Sequence, residues 1–138
     1  MREVKDETLI MTFKEICILL YNLGFRRVKG IMMDQAEFTD SEVLASLLEL
    51  SKRNIIRTEG ESFSIRPDVK RALEIMGEPS ADFAFRPGGG EPTYYCYVVP
   101  GEVVVTELYR RKSENIRLRW FDTVSFAQWK EAMENDHY

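Results

Sequence analysis

The sequence predicts an α+β fold, with a winged-helix-like helical part over residues 1–79 followed by a four-stranded antiparallel sheet and a C-terminal helix over residues 80–138. Three observations carry this prediction. Apolar residues recur at helical spacing up to about residue 77 and with a period of two after it. Two capping boxes open the principal helices, and β-branched and aromatic residues crowd the second part. The Gly77 to Ala81 join is too short to act as a free tether, so the two parts are expected to pack together as one unit.

Thr12-Phe13-Lys14-Glu15 has the form of a capping box and introduces Ile16, Leu19, Leu20 and Leu23, so a helix is predicted from residue 12 to Asn22. Gly24 supplies its C-terminal turn, and Phe25 to Met32 reads as a short strand. A second box, Thr39-Asp40-Ser41-Glu42, opens a helix whose Val43, Leu44, Leu47, Leu48 and Leu50 form a stripe wide enough to face a core. Lys52-Arg53-Asn54 suits its C-terminus. Ile55 to Thr58 and Ser62 to Arg66 flank Glu59-Gly60-Glu61 as a hairpin, with Ile56, Phe63 and Ile65 turned toward the helix. Pro67 starts a third helix with Val69, Ala72, Leu73 and Met76, stopped by Gly77 and Pro79.

Four strands follow, over Asp82 to Arg86, Thr93 to Val99, Glu102 to Arg110 and Asn115 to Phe121. Pro100-Gly101 and Arg111-Lys112-Ser113-Glu114 are turns that make the later pairings antiparallel, and Pro87 to Pro92 is a hairpin loop. Ile116, Leu118 and Trp120 share one face of the last strand. A helix capped by Asp122, Thr123 or Ser125 is expected to cover that face with Phe126, Trp129 and Met133.

Composition narrows the function. Of 138 residues, 44% are hydrophobic and 12% aromatic, enough for a core, and no apolar run is long enough to cross a bilayer. Residues 1–79 carry 12 Lys/Arg against 14 Asp/Glu and residues 80–138 carry 7 against 9, a net −2 in each part and an unattractive field for phosphate. Cys17 and Cys96 have no CxxC partner and fit apolar settings, while the N-terminus is acidic where a leader would be basic; a cytoplasmic protein with buried thiols is expected.

No chemistry is declared. The one histidine, His137, is penultimate, so no metal site and no base for a cysteine nucleophile is expected; no cofactor is implied and the chain reads as non-enzymatic. Gly88-Gly89-Gly90 lacks the following Lys-Ser/Thr and helix of a phosphate cradle. The order helix, strand, helix, hairpin, helix raises a winged-helix transcriptional regulator as the alternative function. Asp40, Glu42 and Glu49 on the middle helix and the Glu59-Gly60-Glu61 wing tip oppose specific nucleic-acid binding. Aromatic residues of the sheet, Tyr94, Tyr95, Tyr97, Tyr109 and Phe121, are the candidate protein interface.

The order of elements with Thr39-Asp40-Ser41-Glu42-Val43, Asn54-Ile55-Ile56-Arg57-Thr58-Glu59-Gly60, Ile65-Arg66-Pro67, Leu73 and the Gly77/Pro79 break, then an antiparallel sheet closed by a helix, resembles one half of the EspG-type chaperones of type VII (ESX) secretion. Members of that family contain two related halves around a shared central sheet, and this chain supplies one. The resemblance implies a cytoplasmic binding protein that holds helical secretion substrates in solution. A single half also implies a homodimer through the sheet region.

Overall fold

A computed structural model describes residues 8–33, 37–109 and 115–135. The element order is β1 (Thr8–Met11), α1 (Phe13–Asn22), α2 (Asp40–Lys52), β2 (Ile56–Glu59), β3 (Ser62–Ile65), α3 (Pro67–Gly77), β4 (Ala81–Phe85), β5 (Thr93–Val99), β6 (Glu102–Leu108), β7 (Ile116–Asp122) and α4 (Thr123–Asn135). The α+β class and the antiparallel sheet with its C-terminal helix are as expected. The turn 111–114 and His137 lie outside the described residues.

Both capping boxes form. Thr12 Oγ1 accepts from the Glu15 amide while Glu15 accepts from the Thr12 amide, and Thr39 and Glu42 repeat the exchange. Both helices also end alike. The Phe25 amide donates to the Leu20 carbonyl and the Gly24 amide to Tyr21; at α2 the Ile55 amide donates to Leu50 and the Asn54 amide to Ser51. Such an ending needs a left-handed residue after the cap, supplied by Gly24 (φ 91°) and by Asn54 (φ 58°).

The sheet has five strands in the order β1-β7-β6-β5-β4, all antiparallel, against the four expected. The added strand is β1, whose Leu9 and Met11 sit opposite Leu118 and Ile116. At four residues it is too short for alternation to reveal it. Because β1 precedes α1, the first part of the chain contributes to the sheet of the second.

Three layers result. On one sheet face, α1, α3, the β2–β3 hairpin and Leu50 of α2 bury Ile16, Leu20, Leu50, Ile56, Ile65 and Leu73 against Tyr97, Val104, Ile116 and Leu118. On the other face, Phe126, Trp129 and Met133 of α4 cover Tyr94, Cys96, Val103 and Val105. Ile116, Leu118 and Trp120 therefore face the helical part, and α4 covers the opposite side, contrary to expectation. Phe121 and Arg119 point toward α4 because strand residues alternate, and alternation defines two faces without saying which helix takes which.

Two further expectations are corrected. Phe25 to Met32 forms a single bridge between Val28 and Ile31 in place of a strand, so the extended element of the winged-helix order is missing. The α2 stripe is divided: Leu50 is buried and Leu47 packs half-buried against the core, whereas Leu44 and Leu48 are exposed. The stop expected at Gly77 holds, since Gly77 is the last residue of α3; a Cβ there would stand 2.4 Å from the Phe25 ring, so the absence of a side chain also lets that ring pack against the helix.

Candidate functional site

The five aromatic residues expected at an interface do not form one surface. In β5, Tyr95 and Tyr97 face the helical part whereas Tyr94 faces α4. Tyr97 is fully buried and donates its hydroxyl to the Lys29 carbonyl. Tyr94 is buried in the aromatic layer beneath α4, with its ring centroid 5.1 Å from Trp129 and 5.4 Å from Phe85. Phe121 packs 5.2 Å from Trp129 and 6.0 Å from Phe126. Tyr109 is the most accessible of the set, and its hydroxyl donates to Glu107 at 2.8 Å. As β5 pairs on both sides, with β4 and β6, none of its backbone edge is open.

The polar groups among these rings are mutually engaged. Glu107 is buried, with Arg119 at 3.5 Å and Arg117 at 3.6 Å, and the Arg119 guanidinium lies over the Trp129 ring. The phenol of Tyr109 is pushed up to about 12 by its hydrogen bond to Glu107 and by burial. Burial and the 2.7 Å bond to Asp82 likewise push Tyr95 up to about 12. Cys96 is held as a thiol, pushed up to about 12 by burial, so it is a packing group and no nucleophile at neutral pH. Cys17 and Cys96 lie in different clusters and form no disulfide with each other.

A cavity of about 680 Å³ opens beside the β4–β5 loop, lined by Arg86, Glu91, Thr93, Tyr95 and Tyr109 among others. Its Tyr95 and Tyr109 hydroxyls donate to Asp82 and Glu107, and Arg86 Nε donates to Thr93 Oγ1 at 2.8 Å. No nucleophile and base converge there. Among the described residues no three His, Cys, Asp or Glu side chains form a metal-binding group, and no helix is long and apolar enough to cross a membrane.

Among the described residues, exposed large apolar side chains include Met32, Val124 of α4, and two on the outer face of α2. Leu44 and Leu48, one turn apart, are 60% and 56% exposed, with Ala45 exposed between them. The helix has little need of these residues for its own stability. Its N-terminus is held by the Thr39 box and by a Lys14–Glu42 ion pair, which with the Thr39 contacts holds the Glu42 carboxyl down to about 2. At its C-terminus, Arg53 reaches the buried Glu15 at 3.4 Å and donates to the Ile10 carbonyl, tying α2 to α1 and β1 at once. On the same helix, exposed Asp40 lies one turn before Leu44 and exposed Lys52 one turn after Leu48, with exposed Glu49 next to Leu48 in sequence and exposed Glu37 preceding the helix. The helical spacing of Leu44 and Leu48 was visible in the sequence, but it pointed to the core.

No protein-family model matches this chain, and neither does any curated protein.

Proposed function

We propose that the protein is a non-enzymatic, cytoplasmic binding module whose docking surface is the Leu44–Ala45–Leu48 ridge of α2 and whose ligand is an amphipathic helix with basic flanks. The observation that carries this reading is the exposure of two leucines one turn apart on a helix anchored at both ends by other residues. A ridge at i and i+4 fits the groove of another helix, which buries apolar area and excludes water from the contact. The exposed acids of this stretch, Glu37, Asp40 and Glu49, outnumber its Lys52 and favour Lys or Arg beside the apolar face of the ligand. The same charges, with Glu59 and Glu61 at the hairpin tip, repel a phosphate backbone and weigh against the regulator alternative.

The resemblance to EspG-type chaperones supports the same class of ligand, a helical export substrate kept in solution before secretion. Separately buried cysteines support a reducing compartment. Affinity capture from native lysate with the wild-type chain and with the Leu44→Glu/Leu48→Glu double variant tests the reading. The wild type is expected to retain a specific helical protein that the double variant loses while keeping its circular dichroism. Identical captures by both forms would refute it.

A further inference from the structure

The two edges of the sheet are treated differently. At the β1 edge, Arg53 donates to the Ile10 carbonyl. At the β4 edge, Ala81–Phe85 pairs with β5 on one side and with no described strand on the other. Edge strands are commonly protected from pairing by lysine, proline, a bulge or an uncompensated inward charge. The segment Ala81-Asp82-Phe83-Ala84-Phe85 contains no Lys, Arg or Pro, and it pairs with β5 residue for residue. Its one charge is compensated, as Asp82 accepts from Tyr95 at 2.7 Å and lies 3.5 Å from Lys29. Phe83 stands at the rim of the aromatic layer, 37% exposed and 6.0 Å from Phe126.

From these features we infer that β4 is the interface of a homodimer, in which the strand pairs antiparallel with its own copy about a two-fold axis at Phe83. The occupant follows from the self-complementarity of the strand. Antiparallel pairing centred on residue 83 sets Phe83 against the partner's Phe83, Asp82 against the partner's Ala84, and Ala81 against the partner's Phe85. Aromatic meets aromatic and each carboxylate meets a methyl group, so no like charges stand directly opposite. The two aromatic layers beneath α4 become continuous, and the two five-stranded sheets become one. This inference stands apart from the α2 ligand, which docks on a different element.

The register has a charge test. Ala84 is exposed and faces the partner's Asp82, so Ala84→Asp places carboxylates opposite one another twice per dimer, whereas Ala84→Lys places opposite charges there. Light scattering after size exclusion, at micromolar to tens of micromolar chain, is expected to give twice the chain mass for wild type and for Ala84→Lys. For Ala84→Asp the dimer dissociation constant is expected to rise about tenfold or more, with circular dichroism unchanged. Should Ala84→Asp fail to fold, Phe83→Lys is scored the same way. A monomeric wild type, or a dimer equally tight in the aspartate variant, would overturn the inference. The Leu44→Glu/Leu48→Glu protein should remain dimeric, so loss of the α2 ligand and loss of the dimer are separable.

Discussion

Cys96 illustrates how little the identity of a residue says about reactivity before its neighbours are placed. It lies on the α4 side of β5, fully buried between β4 and β6, and burial pushes its thiol up to about 12. At pH 7.5 the thiolate fraction is negligible and access is closed. Labelling of Cys96 by iodoacetamide in native buffer is therefore expected to be at least about a hundredfold slower than in denaturant, as read by mass spectrometry. Gly77 makes the converse point, since its spacing before Pro79 reads as a helix stop. The helix does end at Gly77, and the Phe25 ring, more than fifty residues away in sequence, supplies a second reason for the missing side chain that spacing does not show.

At the scale of elements, the devices legible in advance were those closed within a few residues. Thr12 with Glu15, and Thr39 with Glu42, act across three positions, and the spacing is itself the mechanism. Which surface covers which was not legible. Ile116, Leu118 and Trp120 announce a buried face, but α4 and the helical part are equally apolar candidates to cover it, and only the path of the chain decides. The stripe of α2 has the same ambiguity, because periodicity marks an apolar face without naming its partner. Its anchoring was hidden too, since Arg53 appears in the sequence as a helix-end cation and in the fold as a clamp on Glu15 and Ile10. Arg53→Ala leaves the buried Glu15 without its cation and is expected to lower unfolding free energy by about 1–3 kcal/mol in urea titration. A loss below a few tenths would show that the clamp contributes nothing.

At the scale of the molecule, the described residues form a sheet held between α1, α2, α3 with the β2–β3 hairpin on one side and α4 on the other, and the tyrosines report on that sandwich. Burial raises the phenols of Tyr94, Tyr95 and Tyr97, and the bond to Glu107 raises that of Tyr109. A raised phenol pKa favours the neutral form in the folded state. The linked stabilisation is whole below pH 10, where phenols are neutral in folded and unfolded chains alike, and it erodes as pH rises from 10 through about 12. Tyrosinate absorbance is accordingly expected to rise together with loss of circular dichroism, at a pH above that of the unfolded chain. Titration of most tyrosines near pH 10 with the fold intact would mean that these rings are more open to water.

The division of labour within α2 is the claim on which the functional reading rests: Leu50 holds the fold, while Leu44 and Leu48 are left to a partner. Urea unfolding of Leu44→Glu/Leu48→Glu beside Leu50→Ala measures that division directly. The double variant is expected to stay within about 1 kcal/mol of wild type, as exposed positions do, while Leu50→Ala loses about 2–5 kcal/mol. A double variant destabilised as severely as Leu50→Ala would make the ridge part of the core and contradict its assignment as a docking surface.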